Sequence, residues 1–207
     1  MAYVEWGAGS SGGVASATLR RLADEAKARN GLTVGEALET MGNAGFGFVM
    51  LLLSLPAMIP VPGPFGLVFG SALAIVALQF AFGVSPLWLP ALLRNRRISA
   101  RAFELLKNHA SPMVARIERL VRPGRMKVLT GRRLPYILAL PVFALAVAVA
   151  LPIPFGNMAP VAAICVIAVG LIERDGLVVM LGLLLTLVAL SVTAALLLGA
   201  ASMIALI

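Results

Sequence analysis

Three long stretches of this chain, residues 42–93, 134–172 and 176–207, contain no Asp, Glu, Lys or Arg. Each is longer than the ~20 apolar residues that a helix needs to cross the ~30 Å hydrocarbon layer of a bilayer. Over the whole chain only 13% of the residues are charged, against about 25% in an ordinary soluble domain. The sequence therefore predicts an all-α integral membrane protein with a single domain.

Closely spaced prolines interrupt two of these stretches. The first break reads IPVPGPFG at residues 59–66, and the second reads LPIPFGNM at residues 151–158. Proline lacks an amide hydrogen and its ring clashes with the carbonyl four residues earlier, so no helix runs through either break. Both breaks have the order aliphatic, Pro, aliphatic, Pro, with Gly and Phe close behind. This predicts an internal repeat of two broken-helix hairpins, in residues 42–93 and 134–175.

The depth of the two breaks in the membrane decides whether they are tips of re-entrant hairpins or ordinary turns in water. In hydrocarbon, every backbone group that a break frees needs a partner within the protein. The apolar run 44–55 makes only ~18 Å of helix, too little to span comfortably. We therefore expect re-entrant hairpins whose tips meet inside the membrane, as in many transporters. Two alternatives stay open: the breaks are turns in water between spanning helices, or the X-Pro pairs recur by chance.

Asn157 is the strongly polar side chain of the two tips, and we expect it to touch a passing polar group. Its alternative role is to cap the helix that starts near Pro160. Gln79 is a weaker candidate on the second helix of the first hairpin. The full set of expected substrate-path residues is Pro60, Pro62, Gly63, Pro64, Pro152, Pro154, Gly156, Asn157 and Gln79.

Small residues recur at Gly66, Gly70 and Ala74, four positions apart on the helix after the first break. A face with almost no side chains lets another helix approach closely, which is how membrane helices associate. These residues are therefore predicted to mediate helix packing or a homodimer.

Residues 94–133, between two uncharged stretches, hold 12 of the 17 Lys and Arg residues and only two of the nine acids, so they account for the positive net charge of +8. The positive-inside rule places such a connection in the cytoplasm, and its apolar residues suit amphipathic helices on anionic lipid headgroups. No recognition motif for nucleic acid accompanies the charge. The residues expected to face the membrane surface or anions are Arg94, Arg96, Arg97, Arg116, Arg119, Arg122, Arg125, Arg132 and Arg133.

The two ends of the chain differ in character. Residues 1–41 predict a tail and amphipathic surface helices, also cytoplasmic, in which Thr33 and Glu36 match a capping box and Asn30-Gly31 ends a helix. Residues 176–207 predict one long tilted helix or two helices broken near 191–193. The charged run Glu173-Arg174-Asp175 before them is expected to form a solvent-exposed turn.

The segment TVGEAL at residues 33–38, the IPVPGP break, ALLR at residues 91–94 and the LPIPFGN repeat together resemble the ExoD family of bacterial exopolysaccharide-synthesis membrane proteins. The resemblance covers nearly the whole chain from about Leu19. It implies an inner-membrane protein linked to exopolysaccharide production, and it supplies no reaction. The IPVPG run is also similar to the re-entrant tips of DedA-type lipid transporters, as a fold-level analogy only.

Two roles fit this pattern. In the first, the protein is a small transporter that moves an anionic or lipid-linked species past the paired hairpins. In the second, it is an accessory subunit that holds a polysaccharide synthesis complex together without transporting anything. Enzyme chemistry is not expected, because no cluster of His, Cys and Asp has metal-ligand spacing and no phosphate-binding loop is present. No metal or other cofactor is therefore expected.

Overall fold

The computed structural model describes residues 13–42, 44–58, 65–84, 87–105, 107–108, 116, 118, 121, 134–151 and 156–205. These residues are helical almost throughout. The helices are α1 (Val14–Ala28), α2 (Val34–Met41), α3 (Ala44–Ala57), α4 (Phe65–Ala81), α5 (Ala91–Arg94), α6 (Leu134–Ala150), α7 (Met158–Glu173) and α8 (Gly176–Ala205). Residues 100–105 are also helical. Two short strands, β1 (Leu32–Thr33) and β2 (Arg97–Ile98), pair antiparallel.

The helices α1 and α2, the two strands and residues 100–105 share a small core of their own, which we call the N-terminal unit. Leu22, Leu32 and Phe103 are central to this core. Pairing of Leu32 with Ile98 holds the segment after α5 against the N-terminal helices. Residues 97–103 are therefore folded onto residues 14–41, a contact that the sequence analysis did not predict.

The local signals at the two ends of the loop between α1 and α2 are confirmed. Asn30 and Gly31 have positive φ, and the Gly31 amide donates to Ala26 O at 2.7 Å, which closes the last turn of α1. Thr33 Oγ1 accepts from the Glu36 amide, and Glu36 Oε2 accepts from the Thr33 amide at 2.7 Å. These bonds from Thr33 lower the pKa of the Glu36 carboxyl.

Thr33→Ala should destabilise the protein by about 1 kcal/mol, because an orphan amide in the first turn of α2 loses its acceptor. Since the pKa of Glu36 is lowered on folding, its stabilising contribution is present above the unfolded pKa and disappears as pH falls through the folded pKa. The difference between wild type and variant should therefore shrink on acidification. Chemical denaturation at a series of pH values measures this, with Thr33→Ser as the control that keeps the hydroxyl. An equal difference at all pH values would contradict the capping box.

The helices α3, α4, α6 and α7 form a bundle in which each packs against two others. The contacts run in a closed ring from α3 to α4, α6, α7 and back to α3, and α8 lies against α6 and α7. Leu73, Leu138, Leu145, Ile164 and Ile167 are fully buried between these helices. Each helix from one uncharged stretch therefore contacts a helix from the other.

Helix α8 differs from the four bundle helices in length. Helices α3, α4, α6 and α7 have 14, 17, 17 and 16 residues, and α8 has 30 without interruption at 191–193. Within the described residues, one helix is long and apolar enough to cross a membrane, over Gly176–Gly199. The last buried side chain described on α8 is that of Thr193, so its final turns extend past the bundle.

Candidate functional site

The residues that flank the two proline breaks meet in the structure. Gly66 lies in the first turn of α4, and Asn157 lies directly before α7. A Cβ added at Gly66 would be 2.7 Å from Asn157 Nδ2 and 2.7 Å from the carbonyl oxygen of Val149. The Asn157 side chain therefore occupies space that only a glycine at position 66 leaves open. We call Gly66, Val149 and Asn157 the tip contact.

The Asn157 side chain does not cap α7, although the residue stands at the N-cap position. Its backbone is already helical, with φ −74° and ψ −21°, and its side chain makes no capping hydrogen bond. Its Oδ1 atom is buried, and no hydrogen-bond partner for it is found in the described part of the chain. A buried acceptor without a donor costs about 1–3 kcal/mol. Such atoms are rare in native proteins, so the position of Asn157 Oδ1 calls for an explanation, of which a binding role is one.

The small-residue face of α4 packs against α6 of the same chain. A Cβ added at Gly70 would be 2.5 Å from the Ala150 amide nitrogen and 2.8 Å from Ala146 O. Ala74 is partly buried at the edge of the same core. The backbones of α4 and α6 thus approach closely at residues that the sequence analysis predicted to mediate helix packing. A homodimer stays a prediction, and it would need another surface than this one.

The remaining substrate-path candidates do not all come to the tip contact. Gly156 is buried beside it. Gln79 is 13 positions further along α4 than Gly66, about 20 Å by helix rise, and its Oε1 accepts from the Trp88 amide at 2.7 Å. Gln79 therefore holds the segment after α4. The candidates that lie outside the described residues are Pro60, Pro62, Gly63, Pro64, Pro152 and Pro154.

The described arginines of the basic region are exposed. Arg94 pairs with Glu39 at 3.0 Å, and Arg97 donates to the carbonyl of Arg29 at 3.3 Å. Arg96 and Arg116 are also exposed. Arg94 and Arg97 therefore lie on the N-terminal unit, which contacts the Glu173 end of α7, whereas Asn157 precedes the opposite end of that helix. Arg119, Arg122, Arg125, Arg132 and Arg133 lie outside the described residues.

Sequence reasoning missed a pair of carboxylates that bind the start of α1. Glu173 accepts from the amides of Val14 and Ala15 at 3.0 and 2.9 Å. Glu118 accepts from the amide and the hydroxyl of Ser16, both at 2.8 Å. First-turn amides of a helix have no intrahelical acceptor, and Gly13 offers no side-chain cap.

The expectation of a solvent-exposed turn at residues 173–175 is therefore wrong for its two acids. Glu173 and Asp175 are 2% and 1% exposed. Asp175 Oδ1 accepts from the Leu177 amide at 2.9 Å and so caps α8. Their burial could have been predicted from their position, because acids are rare beside long apolar segments and a charge there needs a specific partner.

A scan against protein-family models matches residues 15–195 to the family described as "Exopolysaccharide synthesis, ExoD". This chain belongs to the ExoD family. Protein ExoD of Rhizobium meliloti (strain 1021) is 34% identical over 155 residues, which cover 72% of this chain and 64% of that protein. An uncharacterized protein of Synechocystis sp. is 30% identical over 140 residues, covering 67% of this chain and 66% of that protein. The match thus spans slightly under two thirds of each relative. No solved structure matches.

The tip contact of this ExoD-family protein is built for hydrogen bonding. The Asn157 carboxamide does not titrate, and Gly66 and Val149 contribute only the hydrogen-bonding groups of their backbones. Within the described residues, no group of three His, Cys, Asp or Glu side chains could hold a metal ion. A further polar contact between the uncharged stretches joins Ser54 Oγ on α3 to Cys165 Sγ on α7 at 3.3 Å, and Ser54 Oγ also donates to Leu51 O.

Proposed function

We propose that this ExoD-family protein is a multi-pass bacterial inner-membrane transporter that moves an anionic or lipid-linked intermediate of exopolysaccharide synthesis, without enzymatic chemistry. The observation that carries the proposal is the tip contact. Gly66 and Asn157, which follow the two proline-rich segments in the sequence, lie together, and no donor for the buried Asn157 Oδ1 is found in the described part of the chain. An unpaired polar atom between two broken helices suits transient binding of a polar group, as at transporter sites.

The register of α7 against α8 supports tips that lie within the membrane. Gly170 lies beside Val179, and Gly182 lies beside Ile167, so the two helices run antiparallel. Extended to the start of α7, this register puts Asn157 level with about residue 192 of α8. From there α8 continues to Ala205, a further distance of ~20 Å at 1.5 Å per residue. If α8 crosses the bilayer, the tips are within its apolar length, as expected for re-entrant hairpins.

Exposed side chains support the proposed orientation. Large apolar residues are exposed along the bundle and α8, among them Val68, Ile75, Leu184, Leu187 and Leu198, which suits contact with lipid. The N-terminal unit instead exposes basic residues. Residues 94–133, part of which fold into this unit, have an excess of Lys and Arg, and by the positive-inside rule this excess supports a cytoplasmic location for the unit.

Two single-cysteine variants test the depth of the tips. Phe65→Cys and Met158→Cys, each in a Cys165→Ser background, report on positions that are 46% and 45% exposed in the structure. A membrane-impermeant thiol reagent should label both slowly in intact membranes and rapidly after detergent is added, because lipid covers them. Arg174→Cys, exposed at the other end of α7, is the control and should react with reagent supplied from the cytoplasmic side. Rapid labelling of both tip positions in intact membranes would contradict re-entrant hairpins.

The accessory-subunit role is the second candidate, and the N-terminal unit favours it. This unit has its own small core and exposes Arg96 and Arg97. Exposed arginines on a folded module would bind an acidic partner protein through charge complementarity. In that case, substitution of these arginines would reduce exopolysaccharide production, and substitution of Asn157 would leave it unchanged.

A further inference from the structure

We propose that the tip contact binds hydroxyl groups of a saccharide, rather than the phosphate of a lipid-linked intermediate or an inorganic ion, and that Thr193 of α8 is a specificity-determining residue of the same site. Because the tip contact is the site of the proposed function, the inference rests on that function and names the part of the intermediate that would bind there. Acceptors, donors and a buried hydroxyl at this level of the bundle all favour a saccharide.

The tip contact presents acceptors that need donors. Asn157 Oδ1 is buried, and no donor for it is found among the described residues. The carbonyl of Val149 belongs to the last turn of α6, where carbonyls have no partner within the helix. The carbonyls of Ala148 and Ala150 lack the usual donor as well, because the residue four positions after each is a proline without an amide hydrogen. A group that satisfies these oxygens has to donate hydrogen bonds, which an ionised phosphodiester cannot do.

The start of α7 adds donors beside these acceptors. The amides of Met158 and Ala159 are in the first turn of the helix, where amides have no intrahelical acceptor, and the Asn157 side chain does not cap them. A monovalent cation could use the oxygens of the tip contact but not these amides. A hydroxyl donates one hydrogen bond and accepts others, so it can use both. Neighbouring hydroxyls of a sugar ring therefore fit this mixed set of groups better than an ion or a phosphodiester.

Thr193 brings a buried hydroxyl to the same level. It is 5% exposed and lies on the buried face of α8, the helix that packs against α6 and α7. The antiparallel register of α7 and α8 puts Asn157 level with about residue 192, next to Thr193 along the helix. The hydroxyl hydrogen of Thr193 is donated to Ala189 O at 2.9 Å, so its oxygen offers only lone pairs. Thr193 would thus accept a second hydrogen bond from the saccharide.

Thr186 is the matched control for Thr193. It is 3% exposed on the same face of α8, and it donates to Gly182 O at 2.8 Å. The same register puts it level with about residue 163, in the middle of α7 and away from the tips. Loss of a back-bonded hydroxyl from α8 should therefore affect stability equally in Thr193→Val and Thr186→Val, whereas ligand binding should change in Thr193→Val alone.

Binding of three lipids to the full chain in nanodiscs tests the proposal. The probes are polyprenyl phosphate glucose, the same lipid with its glucose hydroxyls methylated, and polyprenyl phosphate without a sugar. The wild type should bind the glucose lipid about tenfold or more tightly than the other two, because a site that hydrogen-bonds a hydroxyl strongly rejects an analogue without it. Asn157→Leu and Thr193→Val should each lose most of this preference. Thr186→Val should keep it, and so should Thr193→Ser, which retains the hydroxyl.

Equal binding of the three lipids, or no binding of the glucose lipid, would overturn hydroxyl recognition. Equal losses of preference in Thr193→Val and Thr186→Val would overturn the role of Thr193. Stabilisation against thermal unfolding by Na⁺, with none by the glucose lipid, would assign the site to a cation and overturn the proposal. A chain that binds the glucose lipid selectively but does not move it between the leaflets of vesicles would contradict the transporter function and leave hydroxyl recognition in place.

Discussion

Asn157→Leu should slow transport strongly and at the same time make the protein more stable to unfolding. No partner for the buried Asn157 Oδ1 atom is found among the residues that the structure describes, and replacing an unpaired buried group by an apolar one of similar shape removes a cost of about 1–3 kcal/mol. The acceptor that we propose for the passing substrate is lost with it. The rate of exopolysaccharide export should fall by about tenfold or more, since one hydrogen bond of about 1.4 kcal/mol corresponds to that factor.

Gln79→Leu is the matched control for this experiment. It replaces the same kind of side chain on the same bundle, but the Gln79 oxygen has a partner in the Trp88 amide. Gln79→Leu should therefore lower stability and leave export unchanged, the opposite of Asn157→Leu in both measurements. Thermal unfolding in detergent and export from cells with each variant give the comparison.

Two outcomes would contradict the role of Asn157. A loss of stability in Asn157→Leu would mean that its carboxamide is a structural hydrogen-bonding group. Normal export in Asn157→Leu, together with loss of export when Arg96 and Arg97 are both changed to Glu, would instead support the accessory-subunit role.

Gly70→Ala should destabilise the bundle strongly, because its Cβ would be 2.5 Å from the backbone nitrogen of Ala150. Backbone atoms cannot rotate away, so α4 and α6 would have to separate, and overpacking of this kind typically costs about 1–3 kcal/mol. Denaturation followed by circular dichroism measures the loss. The effect on export should follow the loss of folded protein.

Gly199→Ala provides the control for the glycine substitution. Gly199 is in the part of α8 beyond the bundle, and no atom lies within 4 Å of a Cβ added there. Alanine favours a helix by up to about 1 kcal/mol over glycine, so this variant should be neutral or slightly more stable. Equal effects of the two substitutions would show that the α4–α6 contact is not as close as described.

Features set by neighbouring residues could be predicted from the sequence. The Thr33–Glu36 capping box, the helix end at Asn30-Gly31 and the packing face at Gly70 all depend on residues a few positions apart. Each uses one local rule of backbone geometry or side-chain size. The order of the helices and their apolar character follow from the same kind of local information.

Features that depend on distant partners could not be predicted. Glu173 is buried because amides 158 and 159 positions earlier need an acceptor. The strand at Leu32 exists because Ile98 lies opposite it. The Asn157 side chain does not cap α7, and it lies instead against Gly66 on the other hairpin. In each case the position of the partner in space, which the sequence does not contain, decides the outcome.

The glycine contacts between the two hairpins have a mechanical consequence. Gly47 meets α7 at Ala168, and Gly70 meets α6 at Ala146, each with a Cβ position 2.8 Å from a carbonyl oxygen. At these two points backbone, and not side-chain volume, sets how close the hairpins come, while the surrounding core side chains interlock. The distance between the two hairpins is therefore fixed at its lower limit, and the bundle cannot be compressed further at Gly47 or Gly70.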